Sequence, residues 1–131
     1  MNPAARTPVT EFPFHILAVD DDEAMCYATS KMLANAGFVV THTSDALKAL
    51  QLLDTDGRFD LLLTDIKMPG QPHGFALANM ARLRRPGIKI LYLTNFPELA
   101  ESEPAARYGK LLLKRDDGAA LVDEVLRTLA A

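Results

Sequence analysis

Three consecutive aspartates, Asp20, Asp21 and Asp22, stand directly after the apolar run Phe14–Val19, and Asp65 stands directly after Phe59–Thr64. Two more polar residues close apolar runs in the same way: Thr94 follows Ile88–Leu93, and Lys114 follows Leu111–Leu113. Carboxylates brought close together repel, which raises their proton affinity or recruits a cation. A hard ion such as Mg²⁺ suits one or two carboxylates, a carbonyl and waters. The Lys114 ammonium would offset one negative charge and meet an anionic ligand as a point charge, while Thr94 adds a short hydroxyl donor. Carboxylates, Mg²⁺, a lysine and a hydroxyl form a set for phosphoryl transfer, with an aspartate available as covalent nucleophile. That chemistry exists only if the fold gathers the ends of these runs.

The elements that must gather them are legible as an alternation. Apolar runs at Phe14–Val19, Phe38–Thr41, Phe59–Thr64, Ile88–Leu93 and Leu111–Leu113 are separated by stretches with helical spacing. Met25, Ala28, Met32, Leu33 and Ala36 form one helical stripe that stops at Gly37. Ser44 is positioned to cap a second helix carrying Leu47, Leu50 and Leu53. A third follows Gly74 with Leu77, Met80, Ala81 and Arg84 and ends before Pro86. The last carries Leu121, Val122, Val125, Leu126 and Leu129, with Asp116 or Asp117 as its cap. A fourth helix, over Pro97–Tyr108, is expected to be short or irregular, because Pro104 falls in its middle. The runs Leu61–Leu63 and Ile88–Leu93 lack in–out alternation, as strands buried on both faces do. The expected fold is α/β: a doubly wound, five-stranded parallel sheet flanked by helices on both faces. In such sheets ligands bind outside the carboxyl ends of the strands, where the strand order reverses.

Composition narrows the function classes. At 131 residues the chain predicts one domain, residues 14–131, after a flexible lead-in over 1–13 in which Pro3, Pro8 and Pro13 break any period. A formal charge of −3 argues against a nucleic-acid binder. The single cysteine, Cys26, excludes an internal disulfide framework. No apolar run is long enough to insert into a membrane and no secretory signal is visible, so a cytoplasmic protein is expected.

The segments Ile16–Glu23 (ILAVDDDE), Leu61–Gly70 (LLLTDIKMPG), Ile90–Thr94 (ILYLT) and Leu111–Lys114 (LLLK), in this order, resemble the receiver domain of two-component response regulators. The resemblance implies a flavodoxin-like receiver fold from Phe14 to the end. It makes Asp65 the acceptor of a phosphoryl group from a histidine kinase or histidine phosphotransfer protein. It makes Asp21 the main direct Mg²⁺ ligand, with Asp20 holding a coordinated water, Asp65 contributing an oxygen and the Lys67 backbone carbonyl completing the set. Thr94 and Lys114 would contact phosphoryl oxygens. The chain stops after its last helix, which predicts output through contact with a downstream protein partner, or service as a phosphate sink. Self-phosphorylation and slow autodephosphorylation, rather than conventional enzyme turnover, are the expected activities.

Four features depart from the resemblance. Arg115 follows Lys114 where a cis proline is usual, and Asn95 and Phe96 are bulky where the path to the aspartate is usually open. Leu111 replaces the usual aromatic switch residue, which leaves Tyr92 or Phe96 to substitute. Pro69–Gly74 is one residue longer than the commonest spacing, which brings His73 near a helix start. These departures motivate an alternative, a degenerate receiver that binds partners without phosphorylation. A remote alternative is a haloacid-dehalogenase-type phosphatase using Asp20, since Asp20–Ala24 resembles the start of that motif. Elsewhere plainer readings hold. Asp22 and Glu23 serve a helix start, Cys26 is a packed residue, and His15, His42 and His73 lie on the surface or in loops. Arg82, Arg84 and Arg85 form a solvated helix end.

Overall fold

The computed structural model describes residues 13–70, 72–114 and 118–131. In chain order the elements are β1 (His15–Val19), α1 (Glu23–Asn35), β2 (Val39–Thr43), α2 (Ala46–Leu53), β3 (Leu61–Thr64), α3 (Gly74–Arg84) and β4 (Lys89–Thr94). Two 3₁₀ turns (Pro97–Ala100 and Pro104–Tyr108), β5 (Leu111–Leu113) and α4 (Gly118–Ala130) complete the chain. All strand pairs are parallel, in the order β2-β1-β3-β4-β5. The expected doubly wound sheet is therefore present, and its order reverses between β1 and β3. The stretch expected to be an irregular fourth helix is the pair of 3₁₀ turns, the second starting at Pro104. The lead-in, Arg115 and the Asp116 or Asp117 cap lie outside the described residues, Pro13 excepted.

Unbroken leucine runs form central strands because both faces of the sheet are covered. Leu62, Ile90 and Tyr92 turn to the side of α2 and α3, with Leu50, Leu53, Leu77 and Ala81. Leu61, Leu63, Leu91 and Leu93 turn to the other side, against Leu33 of α1 and Leu121 and Val125 of α4. Burying such a side chain stabilises by about 1.5–3 kcal/mol, so these two layers fix the register. β1 pairs with β3 so that Val19 faces Thr64, and β4 pairs with β5 so that Thr94 faces Leu113. The residues that follow each strand, Asp20, Asp65 and Lys114, therefore leave the sheet at one rim.

Several local expectations are corrected. The buried face of α1 is Cys26, Thr29, Ser30 and Leu33, whereas Ala28 and Ala36 are exposed. Small side chains let α1 lie close to the sheet, and Met32 instead rests against Gly118 at the start of α4. The cap of α2 is Asp45, one residue after Ser44, accepting from the Leu47 and Lys48 amides at 2.8 and 3.4 Å. β2 runs two residues further than its apolar run, as an edge strand that tolerates half-exposed positions. Arginines 84 and 85 are more than a solvated end. Arg84 pairs with Asp54 at 3.0 Å, and Arg85 donates to the carbonyls of Leu53, the last residue of α2, and Thr55, at 3.0 and 2.7 Å.

The β3–α3 connection depends on one close approach. A Cβ on Gly74 would overlap the Asp65 carbonyl and crowd the Ile66 Cα, while the Gly74 amide donates to the Ile66 carbonyl at 2.8 Å. Gly74→Ala should therefore destabilise by about 1–3 kcal/mol through overpacking, despite alanine's better helix propensity. A lower urea midpoint at unchanged slope is the expected reading; an unchanged or raised midpoint contradicts it.

Candidate functional site

The reversal of strand order places the ends of β1 and β3 side by side. The Asp65 amide donates to the Val19 carbonyl at 2.9 Å, so Asp65 extends the sheet by one residue and stays buried. Its Oδ1 accepts from the Ile66 amide at 2.8 Å. Asp20 is also buried, and its Oδ1 accepts from the Asp22 amide at 3.0 Å. Asp22 in turn caps α1 by accepting from the Met25 amide at 3.1 Å, as expected for a helix start. Asp21 lies between them with its side chain exposed. Carboxylate oxygens of Asp20, Asp21 and Asp65 all lie within 4.8 Å of one another.

Among the described residues, one cation answers this charge. The Lys114 Nζ lies 2.8 Å from Asp20 Oδ2 and 3.1 Å from Asp65 Oδ2. It arrives because the Lys114 amide donates to the Thr94 carbonyl at 2.9 Å, which prolongs the β4–β5 pairing by one residue. Thr94 is fully buried, and its hydroxyl oxygen accepts from the Phe96 amide at 2.9 Å, which leaves its own O–H free to donate. Burial raises the Asp65 carboxyl above the ordinary carboxylate range, and the Asp20 charge adds to this against the opposing Lys114 ammonium and Ile66 amide. For Lys114 burial pulls downward, but the paired Asp20 and Asp65 carboxylates outweigh it and raise the ammonium.

The structure thus brings Asp20, Asp21, Asp65 and Lys114 together, with Thr94 one strand away on the same rim. The donor set fits a hard divalent cation: among the described residues three carboxylates meet one ammonium, too little charge to balance them. Lys67 is adjacent through the backbone, and its side chain turns away, the ammonium lying 4.7 Å from the centre of the exposed Phe96 ring. Two features escaped sequence reasoning. His73, expected near a helix start but with no role there, caps α3, its Nδ1 accepting from the Ala76 amide at 3.1 Å. The Lys67–Phe96 contact ties the β3 and β4 loops, and no periodicity announces a contact between loops. Tyr92, considered as a stand-in for a mobile aromatic, is fully buried with its hydroxyl donating to the Ala105 carbonyl at 2.7 Å. Cys26 is a packed residue: burial and the Asp20 charge push its thiol up to about 11.

A carboxyl raised on folding favours the folded state in its protonated form, and that advantage is lost as pH rises through the raised value. Ionised Asp65 is therefore a cost at neutral pH, and Asp65→Asn should unfold at higher denaturant there. The gap should narrow as pH falls from the raised value toward the unfolded carboxyl value of about 3.9. Urea midpoints measured across pH check this; a variant less stable than wild type at neutral pH, or a gap indifferent to pH, contradicts it.

Known proteins share both the sequence pattern and the architecture. The family model for the response regulator receiver domain matches residues 16–125. The response regulator receiver protein CpdR of Brucella abortus is 36% identical over 118 residues, covering 88% of this chain and 97% of CpdR. PetR of Rhodobacter capsulatus is 38% identical over 89 residues, 68% of this chain but only 36% of that protein. A receiver protein of Sinorhizobium medicae superposes with a TM-score of 0.82 at 28% identity, covering 90% of this chain and 95% of that one. The regulator TrrA of Thermotoga maritima, solved in complex with Mg²⁺-BeF, superposes at 0.78 with 24% identity, over 88% of this chain and 99% of that one. With a family match over most of its length and the strand order and rim residues described above, the chain belongs to the response regulator receiver domain family.

Proposed function

We propose that residues 14–131 form a cytoplasmic receiver domain that accepts a phosphoryl group on Asp65 from a phosphohistidine of a histidine kinase or phosphotransfer protein. The phosphorylated form then signals through contact with a downstream protein. The observation that carries this reading is the Lys114 ammonium shared between Asp20 and Asp65, at 2.8 and 3.1 Å, where the strand order reverses. No helix among the described residues is long and apolar enough to cross a membrane, in keeping with that setting.

In the reaction an Asp65 carboxylate oxygen attacks phosphorus in line with the departing histidine nitrogen. A P–O bond forms, the P–N bond breaks, and the electron pair leaves with the imidazole. Little covalent work falls to the protein, so positioning and charge neutralisation supply the rate. Asp21 would hold Mg²⁺ directly, with Asp20, Asp65 and the Lys67 carbonyl completing its surroundings, and the ion would neutralise charge building on the phosphoryl oxygens. Lys114 exchanges an Asp65 carboxylate oxygen for a phosphoryl oxygen, and Thr94 donates its hydroxyl to another. Water later attacks phosphorus, releasing inorganic phosphate and restoring the carboxylate.

Incubation with Mg²⁺ and acetyl phosphate should add one phosphoryl group to the intact mass. The gain should vanish in Asp65→Asn and on chelation, and label persisting in that variant sinks the reading. Partner binding that survives in Asp65→Asn, with no labelling of wild type, would favour the degenerate receiver instead. Loss of label in Asp20→Asn with retention in Asp65→Asn would point to the phosphatase-like use of Asp20.

Two quantitative expectations follow from the geometry. Lys114→Met should slow labelling by about 10²–10³-fold, the usual cost of losing one charge-stabilising donor. Only ionised Asp65 attacks, so the labelling rate should fall as acid protonates the carboxyl, at a pH that bound Mg²⁺ lowers. A rate at limiting Mg²⁺ that does not fall on acidification in a single-turnover assay would contradict this.

A further inference from the structure

β2 ends the sheet on the side opposite β5, and among the described residues it pairs with β1 alone. The Val39 amide donates to the Phe14 carbonyl at 3.0 Å, and the Thr43 carbonyl accepts from the Asp20 amide at 3.3 Å. Val39, Thr41 and Thr43 thus direct their backbone groups to β1. Alternation along a parallel strand turns the N–H and C=O of Val40 and His42 outward, where no described strand receives them. Natural sheets guard such an edge with lysine or proline; Val39–Thr43 has neither, and Val39 is 41% exposed.

The same two residues line a groove between β2 and α1. Its lower part, about 200 Å³, is walled by Val40, Ser30 and Lys31, and its upper part, about 440 Å³, by Glu23 and Thr43. Tyr27 and His42 line both parts, their rings edge-on with centroids 6.3 Å apart. Glu23 and Lys31 are exposed, and neither is in an ion pair among the described residues. Ser30 is buried, and its hydroxyl has no hydrogen-bond partner of good geometry among them, the neighbouring Cys26 thiol being a weak one. The groove is therefore donor-rich at its lower end and acidic at its upper end.

Backbone donors and acceptors two residues apart on an open edge are met together by another extended backbone, which sends alternate side chains into the groove. Lys31 lies eight residues after Glu23, about 12 Å along the axis of α1. An extended chain covers about 13 Å in four residues, and positions four apart share a face. We infer that the open edge of β2 takes an extended peptide of a partner protein as a sixth, antiparallel strand, with a basic residue over Glu23 and an acidic residue four positions later over Lys31. The antiparallel direction is the more stable per residue, and it sets the order of the charges, since the peptide runs from Ser44 down to Val40. The residue midway between the charges lies opposite His42. A second copy pairing edge to edge would bring Val39–Thr43, which carries no carboxylate or ammonium for either end. Nothing in this surface depends on the fate of Asp65.

The test combines fluorescence anisotropy and amide hydrogen exchange on the full chain. The probe is a labelled peptide of about nine residues with lysine, valine and glutamate at successive alternate positions and threonine between them. Saturable binding is expected, and exchange at the Val40 and His42 amides should slow by ~10-fold or more while the Thr41 amide, already paired with β1, keeps its rate. Methylating the valine nitrogen, which removes the N–H offered to the His42 carbonyl, should weaken binding by ~10-fold. Lys31→Glu should weaken it by a similar factor, and a peptide with lysine in place of the glutamate should restore it, with circular dichroism confirming that the variant folds. No saturable binding, equal binding of the methylated peptide, or equal binding of a peptide with its lysine and glutamate exchanged overturns the proposal. So does slowing confined to amides outside β2. A concentration-dependent dimer in sedimentation that protects the Val40 and His42 amides without peptide also overturns it, since a second copy would then hold the edge.

Discussion

Two buried carboxylates from adjacent strands share one lysine, and most of what is distinctive in this structure follows from that arrangement. Asp20 and Asp65 are held at the rim by backbone pairing and by the Asp22 and Ile66 amides, so neither can withdraw into solvent. Among the described residues a single ammonium faces them, which cannot neutralise them together with the neighbouring Asp21. The fold therefore stores an unbalanced negative charge where its strand order reverses, and a divalent cation with a transferred phosphoryl group is the natural complement to it. Stability given up at the rim is recovered in the leucine-rich layers on either side of the sheet. Those layers tolerate no slip of register, since moving a strand by one residue would send Leu61 and Leu63 to the wrong face.

Much of this was legible in the sequence because the relevant signals are local or periodic. Unbroken apolar runs told of strands covered on both faces, and the residue after each run told which groups meet at the rim. Asp20, Asp65, Thr94 and Lys114 were found in that way, and the structure gathers Asp20, Asp65 and Lys114 with Thr94 on the same rim. What stayed hidden depends on packing between elements. The Met25–Ala36 stripe of α1 looks like a core face by spacing, yet the sheet accepts Cys26, Thr29 and Ser30, because small side chains permit a closer approach. Asp45 and Ser44 are both good caps, and only the observed backbone decides between them. Loop length placed His73 near a helix start, but histidine is not a preferred cap, so its capping bond carried no signal. Arg84 and Arg85 looked like surface charge because the Asp54 side chain and the carbonyls they bind lie about 30 residues earlier in the chain.

Among the described residues, the departures from the usual receiver pattern lie in the β3–α3 loop, just after β4 and at the start of β5. Tyr92 occupies the sheet position paired with Leu111, and its hydroxyl is tied to the second 3₁₀ turn through the Ala105 carbonyl. Aromatic bulk that many receivers carry on the neighbouring strand is here immobilised inside the protein. Movement in this chain is then more natural in the loops: the Lys67–Phe96 contact joins the β3 and β4 ends across the rim, and Phe96 also receives its backbone anchor from Thr94. A phosphoryl group that draws the Thr94 hydroxyl or the Lys67 ammonium would disturb both contacts.

The claim at the centre of this account is that Asp65, rather than any other carboxylate of the cluster, becomes the acyl phosphate. Borohydride reduces an acyl phosphate to an alcohol with loss of phosphate, which converts a phosphorylated aspartate into homoserine. After treatment with Mg²⁺ and acetyl phosphate, reduction followed by peptide mass spectrometry should find homoserine at position 65 and unaltered aspartate at positions 20, 21 and 22. Homoserine at any of those three positions, with Asp65 intact, would contradict it.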